Sequence, residues 1–232
     1  MAKLAGDLVD LVCATVDLLP ETSDKASSVF DDLTKIVRSS NFKAIEEIDS
    51  NPYNISGRDR LIKICTKHCH TLKAQNELLT EVFNCCGATA FEQIDVALSA
   101  GRWPKPKYLV YPDDAPINVQ LRIISHELGH VVTGHPMSIV FPESFLKVWR
   151  NLQEQMADAK KSEGFIRSEF IAESISYLVC KNLFNYNTVV EASAYLGLLF
   201  INQPNRLVDT LQLDGNMVIE KVESIIEEFQ NV

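Results

Sequence analysis

Residues 122–135 read RIISHELGHVVTGH and lie in a segment whose apolar residues recur at helical spacing. The pattern predicts a helix over 118–134. His126 and His130 are four residues apart, so this helix projects both imidazoles from one face, one turn apart. Two imidazoles in this arrangement can bind one metal ion, and the carboxylate of Glu127 lies beside them, where it can hold and deprotonate a water molecule.

A second helix contains candidates for the further ligand that such a site needs. Zinc in a catalytic site usually has three protein ligands and leaves a fourth position to water. Residues 168–174 read SEFIAES and place Glu169 and Glu173 four apart, opposite Phe170 and Ile171. We interpret Glu169 as the third ligand and Glu173 as the group that accepts the remaining N–H of a ligand histidine. The spacing alone does not decide which carboxylate reaches the metal.

The motif HELGH followed by E-x-x-A-E on a later helix resembles the zincin metallopeptidases whose third ligand is a glutamate. The stretch 122–135 is most similar to the ImmA/IrrE family of bacterial and phage metallopeptidases, and the resemblance extends over about Pro104 to Phe200. Glu173 stands where that family has Asn or Asp. The run AESISYLVC at 172–180 also resembles the zincin half of ArdC-type antirestriction proteins.

The resemblance implies a zinc-dependent peptidase that cuts a protein substrate at limited sites, such as a transcriptional repressor in a stress or mobile-element circuit. It assigns three zinc ligands and one catalytic base, namely His126, His130, Glu169 and Glu127. The alternative is a non-hydrolytic, zinc-containing interaction or antirestriction protein. Tyr177, one turn beyond Glu173, is a candidate for stabilising the transition state, although packing of its ring into the core is the favoured interpretation.

The remaining patterns predict an α+β, predominantly helical protein, in which a zincin-like core with a small sheet follows an N-terminal helical extension. Residues 107–111 are β-prone and flanked by prolines, which predicts a strand. Zincins of this kind bind peptide at an exposed sheet edge, so this strand is the candidate edge, with plain sheet packing as the alternative. The expected organisation is a helical region over 1–103, the core over 104–201 and a C-terminal helical segment over 202–232. Further helices are expected at 58–75, 76–85, 89–100, 143–161, 166–184, 188–201 and 216–230.

The composition and charge of the chain favour some classes of protein over others. The 232 residues are 46% hydrophobic and carry a net charge of -9, which favours a globular protein and disfavours nucleic acid or anionic membrane as a partner. Asp7, Asp10 and Asp17 interrupt the first apolar segment, so neither an export signal nor a membrane span is expected there. The six cysteines show no framework spacing, which is typical of the reducing cytoplasm. The oligomeric state is not indicated.

Overall fold

The computed structural model describes nine stretches of the chain, and for the strands it describes the backbone only. These stretches are residues 1–20, 29–33, 35–36, 52–68, 71–75, 88–91, 106–112, 115–133 and 163–232. The helices are α1 (Ala2–Leu18), α2 (Pro52–His68), α3 (Ile117–Thr133), α4 (Glu163–Phe184), α5 (Val189–Phe200) and α6 (Pro204–Gln230). The strands are β1 (Thr71–Gln75), β2 (Ala88–Phe91) and β3 (Pro106–Pro112), and residues 29–33 and 35–36 are also helical.

Three helices occur close to where periodicity predicted them. The predictions over 118–134, 166–184 and 188–201 correspond to α3, α4 and α5. The last helix was predicted from 216, but α6 begins at Pro204, which occupies a first-turn position where proline is favourable. It continues through 214–216 because the side chain of Asp214 is buried against Arg167, and because Gly215 allows the helix to pack beside Leu8.

Two predicted helices were wrong in part, because backbone pairing with a distant strand replaces the local pattern. The expected helix over 58–75 ends at His68, and 71–75 forms β1, which pairs with β3 in parallel with Leu72 opposite Leu109. The expected helix over 89–100 begins instead in β2, which pairs antiparallel to β3. The predictions over 76–85 and 143–161 lie outside the described residues.

The strand order is β1-β3-β2, so β3 has a hydrogen-bonded neighbour on each side. This agrees with the prediction of a strand at 107–111, and it corresponds to the alternative of plain sheet packing and not to the candidate edge. A central strand has both rows of backbone groups engaged, so it cannot accept a peptide as an additional strand.

The core that the structure describes is built from helices. Helices make up 89% of the part of the chain whose side chains the structure describes. The predominantly helical character is confirmed, but the predicted α+β class, with a small sheet as part of a zincin-like core, is wrong for this core, in which helices pack against helices. The physical reason is that long apolar helix faces bury one another here. The main contributors are Leu8 and Leu11 of α1, Leu61 and Ile64 of α2, Leu121, Ile124 and Leu128 of α3, Phe170, Ile171 and Leu178 of α4, Leu196 and Phe200 of α5, and Val218 and Val222 of α6.

One hydrophobic cluster thus combines side chains from all three predicted segments, 1–103, 104–201 and 202–232. The segment boundaries themselves remain a prediction. Among the described helices, none combines the length and the apolar character needed to cross a membrane.

The feature of this core that positions the site is the close approach of α3 and α4. A Cβ atom added to Gly129 would lie 2.8 Å from the Cα atom of Ala172, closer than carbon atoms can approach. Glycine at 129 therefore lets the two helix backbones almost touch. Because Gly129 lies between His126 and His130, the point of closest approach lies beside the two histidines.

Candidate metal centre

Helix α3 presents the two histidines as the spacing predicted. The ring centroids of His126 and His130 lie 5.0 Å apart, with the ring planes at 77°. The side chain of His130 is 3% exposed and that of His126 is 16% exposed. The pair is therefore shielded from bulk water, and His126 lies nearer to the surface.

Helix α4 brings the carboxylate of Glu169 against both rings. Glu169 Oε2 lies 3.4 Å from His126 Nε2, and Glu169 Oε1 lies 3.3 Å from His130 Nε2. The three side chains form a group that could hold a metal ion, with one ligand atom from each and all of these atoms within 4.8 Å of one another. Two ligands of a tetrahedral ion at 2.0–2.1 Å are separated by about 3.3 Å, so the contacts with the carboxylate have the spacing of a shared ion.

Glu173 holds the other side of His126. Its Oε2 lies 2.8 Å from His126 Nδ1, and its Oε1 accepts a hydrogen bond of 2.8 Å from Nη2 of Arg122. Arg122 is one turn before His126 on α3, and its backbone carbonyl accepts a hydrogen bond from Ser176 of α4. When Nδ1 carries the proton that is shared with Glu173, the lone pair of Nε2 points towards Glu169, which is the tautomer that ligates a metal through Nε2.

Burial and neighbouring opposite charges shift the pKa values of this group in opposite directions, and the effect of the opposite charges is the larger. Burial alone would lower the pKa of His126, but Glu169 and Glu173 raise it to about 10 in the absence of metal. Burial would raise the pKa of Glu173, but Arg122 and His126 lower it to about 2. The pKa of Glu169 is likewise held well below its ordinary range, against the effect of burial, by the two histidines. Both carboxylates are therefore ionised at neutral pH, as metal ligation and proton acceptance require.

Glu127, the predicted base, is 6% exposed and lies on α3 directly after His126. Its charge acts on Tyr195 of α5, whose pKa is raised well above its ordinary value. Burial is the largest cause of this shift, Glu169 is the next, and the negative charges of Glu173 and Glu127 raise the pKa further. The carboxylate of Glu127 thus lies near enough to the group to act on it electrostatically.

Sequence reasoning missed Tyr195 of α5. Its hydroxyl donates a hydrogen bond of 2.5 Å to Glu169 Oε2, and its ring lies 6.0 Å from that of His126 in an edge-on arrangement. No short-range pattern relates Tyr195 to Glu169, 26 residues earlier, since the contact depends on how α5 folds back on α4.

The structure does not bring Tyr177 into this group. The hydroxyl of Tyr177 accepts a hydrogen bond of 2.9 Å from Lys181, which lies 2.8 Å from Asp7 of α1. The ring itself is 1% exposed and part of the hydrophobic core. The described contacts of Tyr177 therefore correspond to the packing alternative.

The motif residues thus meet at one site. Glu169 lies beside the Nε2 atoms of both histidines, and Glu173 lies beside Nδ1 of His126. The resemblance to glutamate-ligated zincins rests on these residues. Comparisons with protein-family models, with curated proteins and with solved structures found no match to this chain.

Proposed function

We propose that this protein is a zinc metallopeptidase that hydrolyses peptide bonds in a protein substrate at limited sites. The observation that supports it is the convergence of His126, His130 and Glu169 from two helices, with Glu169 oxygens 3.3 Å and 3.4 Å from the two Nε2 atoms. Two imidazole nitrogens and one carboxylate form a donor set that catalytic zinc uses, and three ligands leave one position for water or substrate.

The surroundings of the three ligands fit a divalent cation. Glu127, Glu169 and Glu173 contribute three negative charges and Arg122 contributes one positive charge. Two negative charges therefore remain in this group when both imidazoles are neutral, which a divalent ion would balance. The hydrogen bond from His126 to Glu173 is the arrangement by which a carboxylate orients a ligand histidine.

In the proposed reaction, zinc would act as a Lewis acid on the scissile carbonyl and would lower the pKa of the attacking water. Glu127 accepts one proton from that water as the oxygen of the water forms a bond to the carbonyl carbon. Glu127 then donates this proton to the amide nitrogen as the C–N bond breaks, which yields a carboxylic acid and an amine. The acid passes its proton to the amine, so that a carboxylate and an ammonium group are released. Glu173 and Arg122 keep His126 oriented throughout.

Replacing Glu127 by Gln tests this assignment, since the amide keeps the shape of the side chain but cannot accept the proton. We expect Glu127→Gln to retain one zinc per chain by elemental analysis and to lose about 10²–10⁴-fold in hydrolysis. Hydrolysis is measured on a mixture of peptides of varied sequence, with new termini detected by mass spectrometry. The matched control is Glu220→Gln on the exposed face of α6, which should match the unchanged protein in both measurements.

Cleavage by the unchanged protein that survives in Glu127→Gln would refute the role of the base. Zinc binding without cleavage in either protein would favour the non-hydrolytic interaction or antirestriction protein.

The proposal also includes a cytoplasmic location and no membrane or nucleic-acid partner. It is supported by the net charge of -9 and by Cys13 and Cys180, which are free thiols.

A further inference from the structure

Tyr195 is a polar contact of the metal centre that neither the motif nor the proposed reaction uses. It is partly buried on α5, and its hydroxyl lies 2.5 Å from Glu169 Oε2. A bond between a hydroxyl and a carboxylate is charge-assisted and stronger than a bond between neutral groups. The ring packs edge-on to His126, so Tyr195 contacts two of the three expected ligands.

We infer that Tyr195 is a positioning residue of the metal centre, and that its hydroxyl holds the carboxylate of Glu169 in the orientation that meets both histidines. This inference rests on the metal site of the proposed function, but not on peptide hydrolysis. It makes α5 the third helix of the site, after α3 and α4.

The geometry of Glu169 gives the reason. Its two oxygens have different partners, since Oε2 faces His126 and Tyr195, whereas Oε1 faces His130. A carboxylate rotates about its terminal bond with little preference, because terminal sp³–sp² torsions are broad. The Tyr195 hydroxyl fixes this rotation from the side of Oε2, and it thereby keeps Oε1 beside His130.

Packing alone would not need the hydroxyl. A phenylalanine would preserve the edge-on contact with His126 but would leave Oε2 of Glu169 without this donor. Partners that orient metal ligands typically change metal affinity by 10–100-fold when they are removed. The hydroxyl of Tyr195 therefore has a measurable role that is separate from that of its ring.

The test is the zinc affinity of Tyr195→Phe, measured by competition with a chromogenic chelator. We expect zinc binding to weaken about 10–100-fold, and we expect the visible absorption of the Co²⁺-substituted protein to shift, because the coordinating carboxylate is reoriented. The control is Tyr177→Phe, which also removes a tyrosine hydroxyl, but one on α4 that is bonded to Lys181 and not to a ligand. It should leave zinc affinity within about twofold and the Co²⁺ spectrum unchanged.

Equal zinc affinity in the unchanged protein, Tyr195→Phe and Tyr177→Phe, with loss of zinc in Glu169→Gln, would overturn the role of Tyr195 and leave the metal site intact. Weakened zinc binding in Tyr195→Phe without any peptidase activity in the unchanged protein would support Tyr195 and refute the proposed hydrolysis. Failure of the unchanged protein to bind zinc would refute both.

Discussion

Two buried acidic side chains, Asp214 and Glu169, are held in different ways. Asp214 of α6 accepts two hydrogen bonds of 2.6 Å from Nε and Nη2 of Arg167, so both of its oxygens are engaged by one guanidinium. Glu169 has no arginine partner among its described contacts. Its oxygens face two imidazoles at 3.3 Å and 3.4 Å and one hydroxyl at 2.5 Å.

This difference distinguishes the two roles. Asp214 forms an ion pair that joins two helices, whereas Glu169 belongs to a site that can accept a cation. A bidentate pair with arginine engages both oxygens of a carboxylate and neutralises its charge, which weakens its attraction for a metal ion. A carboxylate that faces imidazoles keeps its charge and, once a metal ion has displaced the imidazole protons, offers its lone pairs to the same ion. Buried charge by itself therefore does not indicate a site, and the type of partner decides.

The largest effect should come from changing the two carboxylates of α4 separately. Glu169→Gln should lose zinc almost completely, because it removes a ligand, with affinity reduced by more than about 100-fold. Glu173→Gln should reduce affinity by about 10–100-fold, because it removes only the group that orients His126. Elemental analysis after dialysis and chelator competition measure both, and equal zinc retention in the two variants would contradict the assignment of ligand and partner.

Replacing Gly129 tests whether the contact between α3 and α4 controls the site. In Gly129→Ala the new Cβ would lie 2.8 Å from backbone Cα of Ala172, so α4 has to move, and we expect a loss of about 1–3 kcal/mol in the free energy of unfolding. Zinc affinity should fall as well, since the shift separates Glu169 from the histidines. Gly6→Ala is the control, because nothing lies within 4 Å of its added Cβ, and it should stabilise α1 by up to about 1 kcal/mol. Urea unfolding measures both, and a fully stable Gly129→Ala would show that the helices are not in such close contact.

The pH dependence of stability in the metal-free protein distinguishes Glu173 from an ordinary surface acid. Its pKa is lowered to about 2 in the folded protein, from an ordinary value of 4.5. A lowered pKa means that the carboxylate contributes stability that is fully present above about pH 4.5 and is lost as the pH falls towards about 2. Glu173→Gln should therefore show a flatter dependence between pH 4.5 and pH 2, measured by urea unfolding in the presence of chelator. The same slope in both proteins would contradict the ionised, buried state of Glu173.

Asp214→Asn should have the smallest effect and should spare the site. The pair with Arg167 is charge-assisted, but the Arg167 side chain is 41% exposed, so the loss should be only about 1 kcal/mol in the free energy of unfolding. Zinc affinity should not change, because Asp214 contacts no ligand among the described residues. A drop in zinc affinity comparable to that of Glu173→Gln would show that the pair of Asp214 and Arg167 influences the metal centre.

The local part of the site was predictable because helical geometry relates residues that are close in sequence. The pairs His126 and His130, and Glu169 and Glu173, each lie one turn apart, and the structure places them on α3 and α4 close to the expected bounds. The chemistry of these side chains indicated a metal before any contact was known. The same local rules failed at 71–75 and 89–91, where pairing with β3 determines the backbone.

The sequence by itself determined which side chains face the same way along each helix, since the 3.6-residue repeat is a property of the backbone. Only the tertiary structure decided which helices meet. The closeness of α4 to Gly129, the contact of Tyr195 with Glu169 and the central place of β3 all depend on how distant segments bury apolar surface against one another. Burial is non-directional and involves the whole core, so no short stretch of residues specifies it.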